Sequence, residues 1–269
     1  MIEADDVSFR VGGRDLIAGV SARFEPGRLH LLIGPNGAGK STLIKVLARL
    51  LQPSQGRVAY GGSDIAHESD ASLARRRAVL SQAIEVAFPL SVREVVAMGR
   101  YPHFGARASS EDEAIVGEVM DYFDVTHMAG RSYPTLSGGE KQRVNFARVL
   151  AQLWRADPLS APDSPPALKS CRYLFLDEPL TFLDIRHQIG FMKKVQGFAN
   201  APDVVTVGVV HDLNLAARFA DQIVLLNDGR VVAAGTPAEV LTAERIQDVF
   251  GVEPTFVPAK EGNPYLIFS

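Results

Sequence analysis

The sequence of 269 residues has a single cysteine, Cys171, no apolar run that could cross a bilayer and no excess of basic charge. One cysteine excludes an internal disulfide and fits a reducing compartment. The longest strongly apolar stretch, Val204 to Val210, falls far short of the ~20 residues that a membrane-spanning helix needs. The acidic start, Met1-Ile2-Glu3-Ala4-Asp5-Asp6, lacks the basic and apolar regions of a signal peptide. The chain is therefore expected to be cytosolic by itself, reaching a membrane only through a partner. A formal net charge of −3 leaves no electrostatic footprint for nucleic acid, and no nucleic-acid partner is expected. Internal repeats and low-complexity segments are absent, and the histidines other than His211 show no metal-ligand spacing. What remains is an ordinary globular composition, 46% hydrophobic and 22% charged, long enough for a sizeable core.

Short strands are expected at Val7-Ser8-Phe9, at Val20 to Phe24 and at Leu29 to Ile33, the last apolar enough to be buried on both faces. A glycine-rich loop follows, then a helix from Thr42 to Leu51. From about 86 to 155 the pattern turns helical: Ser91 to Met98, a capping box at Ser110-Glu111-Asp112-Glu113 opening a helix that packs Ile115, Val119, Tyr122 and Phe123, and a helix from Gly139 to Trp154. Residues 155–170, with four prolines, read as an exposed loop. The α/β pattern resumes with strand Tyr173 to Leu176, helix Ile185 to Phe198, strand Val204 to Val210 and a hairpin turning at Asn227-Asp228-Gly229. The tail, 236–269, starts helical and then reads as irregular. The basic run Arg75-Arg76-Arg77 reads as a solvated helix face. A single domain spanning 1–269 is expected, with a helical subdomain inserted into an α/β core.

Three segments carry chemistry. Gly34-Pro35-Asn36-Gly37-Ala38-Gly39-Lys40-Ser41-Thr42 matches the phosphate-loop pattern between a strand and a helix. Its glycines let backbone N–H groups face an anion, and the following helix adds its positive end. Lys40 is expected on the β- and γ-phosphates of a nucleotide and Ser41 on Mg²⁺. The apolar strand Tyr173 to Leu176 delivers Asp177 and Glu178, suited to the Mg²⁺ shell and to general-base activation of water. His211 closes the strand Val204 to Val210.

With Leu136-Ser137-Gly138-Gly139-Glu140, continued by Lys141-Gln142-Arg143, the chain resembles the ATP-binding-cassette (ABC) ATPases along essentially its whole length. The resemblance implies a RecA-like phosphate-loop core, an antiparallel β portion and an inserted helical subdomain. It also implies ATP and Mg²⁺ as bound species. Two copies would enclose each ATP: Lys40, Ser41, Asp177, Glu178, Gln82 and His211 from one chain, and Ser137, Gly138, Gly139, Glu140 and Asp184 from the other. In this pattern Gln82 matches the glutamine that senses Mg²⁺, Leu183-Asp184 the loop that crosses the dimer interface, and His211 the residue that contacts the γ-phosphate.

Two positions depart from the family pattern. The place of the adenine-stacking aromatic holds Val11, with Phe9 nearby, which predicts weaker discrimination of the base. Phe182 stands where a small residue is usual, in Leu180-Thr181-Phe182. The segment Phe88 to His103 and the tail from Gly235 resemble bacterial importers of iron-siderophores, haem and cobalamin. Arg148 to Trp154 with the proline-rich loop looks most like the haem-import branch. The implied partners are a second copy, a dimeric membrane permease and, indirectly, a periplasmic haem-binding protein. The implied location is peripheral, on the cytoplasmic face of the bacterial inner membrane.

Overall fold

The structure, a computed structural model, describes residues 1–81, 89–105, 107–155, 171–181, 183–258 and 263–268. The chain opens with two long antiparallel strands, β1 (Ile2–Val11) and β2 (Arg14–Phe24). They are longer than the short strands expected, because their outer faces are polar and carry little hydrophobic pattern. β3 (Arg28–Ile33) runs into the glycine loop, and α1 (Lys40–Leu47) begins two residues earlier and ends four earlier than the apolar spacing predicted. Next come β4 (Gln55–Tyr60), β5 (Ser63–Asp64), α2 (Asp70–Ala74) and β6 (Arg77–Leu80).

The helices α3 (Val92–Ala97), α4 (Ser110–Tyr122) and α5 (Gly138–Leu153) follow, linked by 3-10 turns. The chain then alternates β7 (Arg172–Leu176), α6 (Ile185–Ala199), β8 (Val204–Val209), α7 (Leu213–Phe219), β9 (Gln222–Asn227) and β10 (Arg230–Gly235). The tail forms α8 (Pro237–Val240), α9 (Ala243–Phe250) and the hairpin of β11 (Pro254–Val257) with β12 (Tyr265–Phe268). This hairpin corrects the irregular tail that was expected.

The main sheet has the order β10-β9-β3-β8-β7-β6. Its five strands from β9 to β6 are parallel, and β10 is an antiparallel edge. A second, antiparallel sheet has the order β2-β1-β4-β5. Strand periodicity divides the core between two sides. Tyr173, Phe175, Val205, Val207 and Val209 join α1 and the antiparallel sheet. Leu174, Leu176, Ile223 and Leu225 join the clustered side chains of α3 to α7. All five residues of β7 are buried, as a strand covered on both faces requires.

Two local expectations change. The capping box of α4 is Ser109 with Asp112, one residue before the expected start. The shift lets Asp112 also accept from buried Arg100 at 2.9 Å. The basic run is not a solvated helix face. Arg76 lies over the stacked rings of Tyr60 and Tyr173 and pairs with Glu68. Arg77 opens β6 and donates to the Ala48 carbonyl, while Arg75 donates to the Pro102 carbonyl. Tertiary partners here override a charge pattern that is locally indistinguishable from a surface.

Candidate functional site

Parallel registry places the carboxyl ends of three adjacent strands side by side. Leu32 of β3 pairs with Val209 of β8, and Gly208 pairs with Leu176 of β7. The residues that follow these strands therefore converge at one edge of the sheet, where open α/β sheets bind ligands. A cavity of about 220 Å³ opens there, lined by Leu16, Asn36, Gly37, Gly39, Lys40, Ser41, Thr42, Glu178 and His211.

The loop from Gly34 is shaped by contacts that only glycine permits. A Cβ on Gly34 (φ 146°) would lie 2.1 Å from the Leu226 carbonyl oxygen. At Gly39 (φ 95°) it would lie 2.5 Å from that of Leu16. Gly39 caps α1 without a side-chain hydrogen bond, so no side chain competes for the N–H groups of the first turn. Lys40 is only 5% exposed, and its ammonium donates to the carbonyls of Gly34 and Pro35, each at 2.8 Å. Burial lowers its pKa, against the opposing pull of Glu178 and Asp177.

Asp177 follows β7 directly, its N–H donating to the Leu80 carbonyl at 2.9 Å. The Ser41 hydroxyl donates to Asp177 Oδ1 at 2.7 Å. Two hard oxygens this close fit adjacent positions around Mg²⁺, where bonds of 2.0–2.1 Å put neighbouring ligands about 2.9 Å apart. Among the described residues no cluster of three or more His, Cys, Asp or Glu could hold a metal. A hydroxyl and a single carboxylate suit an ion, such as Mg²⁺, that takes few protein ligands beside phosphate oxygens and water.

Glu178 sits at φ 52°, a left-handed conformation that a non-glycine residue adopts at a cost of about 1–3 kcal/mol. The Thr181 hydroxyl donates to its carbonyl at 3.1 Å, and Gln142 of α5 donates to the next carbonyl, Pro179, at 2.7 Å. The held backbone aims the Glu178 carboxylate at His211, with Oε1 and Nε2 3.0 Å apart. A carboxylate and an imidazole thus face the mouth of an anion cradle.

Ser137 caps α5 in a reciprocal box: its hydroxyl accepts from the Glu140 N–H, and Glu140 accepts from the Ser137 N–H at 2.8 Å. Those bonds, reinforced by Arg131 at 2.8 Å, hold the Glu140 carboxyl at about 2. Asp184 caps α6 by accepting from the His187 N–H at 2.9 Å and its Nδ1 at 2.8 Å, which lowers the Asp184 pKa. None of Ser137, Gly138, Gly139, Glu140 or Asp184 lines the 220 Å³ cavity. Val11 ends β1 at 55% exposure, whereas Phe9 packs against the core. Gln82 and Phe182 lie outside the described residues, as does the proline-rich loop beyond Arg155. Sequence reasoning missed Leu16, an apolar strand residue with no distinguishing signal. It also missed the hairpin turn as a buttress, in which the Gly229 N–H donates to the Ala38 carbonyl at 3.2 Å.

A family model described as ABC transporter matches residues 17–155. The hemin import ATP-binding protein HmuV of Gloeobacter violaceus is 45% identical over 253 residues, covering 94% of this chain and 88% of that protein. Its namesake from Pseudomonas fluorescens is 42% identical over 268 residues, covering 99% of both. Among solved structures, a metal-chelate type ABC transporter in an inward-facing conformation superposes with a TM-score of 0.79 at 23% identity, covering 100% of this chain and 96% of that one. A dimeric ATP-binding cassette bound to ADP and Pi superposes with a TM-score of 0.71 at 23% identity, covering 88% of this chain and 99% of that one. With the phosphate loop, the strand-end carboxylates and the Ser137 helix cap in their observed places, the chain belongs to the ABC transporter family as an ATP-hydrolysing subunit.

Proposed function

We propose that this protein energises haem uptake by a bacterial importer, hydrolysing ATP between two copies of the chain beneath a dimeric membrane permease. The observation that carries the hydrolytic part is the convergence of Lys40, Ser41, Glu178 and His211 on one cavity, with Asp177 bonded to Ser41. The phosphate loop from Gly34 to Thr42 binds the triphosphate, and Lys40 leaves its loop carbonyls for the β- and γ-phosphates. Ser41 and Asp177, with Gln82 by family pattern, would hold Mg²⁺, which neutralises charge on the phosphate oxygens when bound. Glu178 accepts the proton of the attacking water, and His211 contacts the γ-phosphate and keeps the carboxylate aimed. Ser137, Gly138, Gly139, Glu140 and Asp184 of the second copy close the site. Val11 covers the base.

The whole chain, 1–269, acts as one cassette with its helical subdomain at about 86–155. No helix among the described residues is long and apolar enough to cross a membrane. The chain's place is peripheral, on the cytoplasmic face of the inner membrane, with the permease as anchor and a periplasmic haem-binding protein supplying cargo. The names and near full-length coverage of the HmuV relatives support haem as that cargo.

The test is uptake into proteoliposomes containing the chain and its permease, with haem-, ferric siderophore- or cobalamin-loaded binding protein outside. Haem accumulation that requires ATP is the expected result. Accumulation of another cargo reassigns the substrate, and ATP hydrolysis with no transport of any of the three overturns the importer reading.

A further inference from the structure

His211 lies in a short link between β8 and α7, so its direction is set by how those two elements are held. On the β8 side, the Val210 N–H donates to the Leu32 carbonyl at 3.3 Å. On the α7 side, Asp212 caps the helix by accepting from the N–H groups of Asn214 at 2.7 Å and Leu215 at 3.0 Å. The orientation of α7 is therefore carried through two residues to the imidazole.

The flank of α7 is fastened to the far end of the chain. The Asn214 side chain uses both halves of its amide on one residue of β12: Nδ2 donates to the Leu266 carbonyl at 3.0 Å and Oδ1 accepts from the Leu266 N–H at 2.7 Å. Only asparagine or glutamine offers a neutral donor and acceptor in that fork. The Leu266 side chain is buried in the core. One step further along, Asn263 Nδ2 donates to the Ala217 carbonyl in the middle of α7 at 2.7 Å. A helix of seven residues is too short to be stable by its own hydrogen bonds. These fastenings together with its packing fix it.

We propose that Asn214 is a positioning residue for ATP hydrolysis. By clamping α7 to the β11–β12 hairpin, it holds His211 in line with Glu178. The inference rests on the reading of His211 as a residue of the reaction. It gives the tail hairpin a role in turnover, although neither strand touches the cavity.

The experiment is a double-mutant cycle on the full-length chain, with steady-state ATPase kinetics and thermal unfolding measured for Asn214→Ala, His211→Ala and the pair. Asn214→Ala should lower kcat about tenfold, the scale of a small misplacement of a reacting group, with KM for ATP within twofold of the parent. In the His211→Ala background the same change should cost nothing further in kcat. A merely structural role would lower the melting temperature equally in both backgrounds and leave kcat of the folded fraction unchanged; that result overturns the proposal. Asn263→Ala, which removes one bond farther from His211, should reproduce the coupling at smaller amplitude if Asn214→Ala does not fold. An additive effect of Asn263→Ala overturns it equally. Full activity of His211→Ala alone would instead refute the reading of His211, a separable failure.

Discussion

The phosphate loop and the Ser137 cap are both glycine-rich segments at the start of a helix, yet the chain treats them differently. Around Gly34 and Gly39 the glycines are demanded by the chain itself: positive φ and neighbouring carbonyls exclude any side chain. Gly138 and Gly139 lie in the first turn of α5 without positive φ, a conformation that any residue adopts. Lys40 is buried and already bonded, whereas Ser137 and Gly138 are exposed. One segment is shaped by its own fold. The other has glycine where its own backbone does not require it, which fits a surface that must let a second molecule's phosphate come close.

The largest expected effect tests the first segment as a complete reaction centre. Glu178→Gln should bind ATP, accumulate as a closed dimer on size exclusion and lose about 10²–10⁴ in turnover, the usual contribution of a general base. Near-normal ATPase activity in that variant would sink the assignment.

A pair of alanine substitutions then sets the two segments against each other. Gly39→Ala should destabilise the fold by at least the ~1–3 kcal/mol of a strained backbone and weaken nucleotide binding, read by urea denaturation and ATP titration. Gly138→Ala should keep or slightly raise stability, since alanine favours a helix by about 1 kcal/mol over glycine, but lose ATPase activity. Equal stability losses at both positions would erase the distinction.

The smallest effect concerns acid. The Glu140 carboxyl is held at about 2, below its ordinary 4.5. Its contribution to stability is therefore complete above pH 4.5 and is lost as pH falls towards 2. Glu140→Gln keeps a capping side chain but cannot titrate. Urea midpoints between pH 6 and 2 should fall less steeply in the variant than in the parent.

The parts of the site that could be read from the sequence are those where one short segment carries both motif and context. β3 with its loop, β7 with Asp177 and Glu178, and β8 with His211 are apolar strands ending in chemistry, and parallel pairing brings their ends together. What escaped depends on distant partners. Arg76 looks like a solvated charge until Tyr60 and Tyr173 close over it. Ser109 and Ser110 are equivalent as caps until Arg100 selects Asp112. The β11–β12 hairpin has strands of four residues each, too short to announce themselves, and α7 holds it from about fifty residues upstream. The contact of Leu16 with the phosphate loop leaves no local trace, because an apolar residue in a strand is ordinary.

Cys171, 1% exposed, immediately precedes β7, which lies between β8 and the edge strand β6 of the main sheet. As the only thiol in the chain, it is a built-in clock for unfolding. A thiol reagent can label the protein only when the packing around the start of β7 opens, so its rate of incorporation reads the opening of that part of the main sheet.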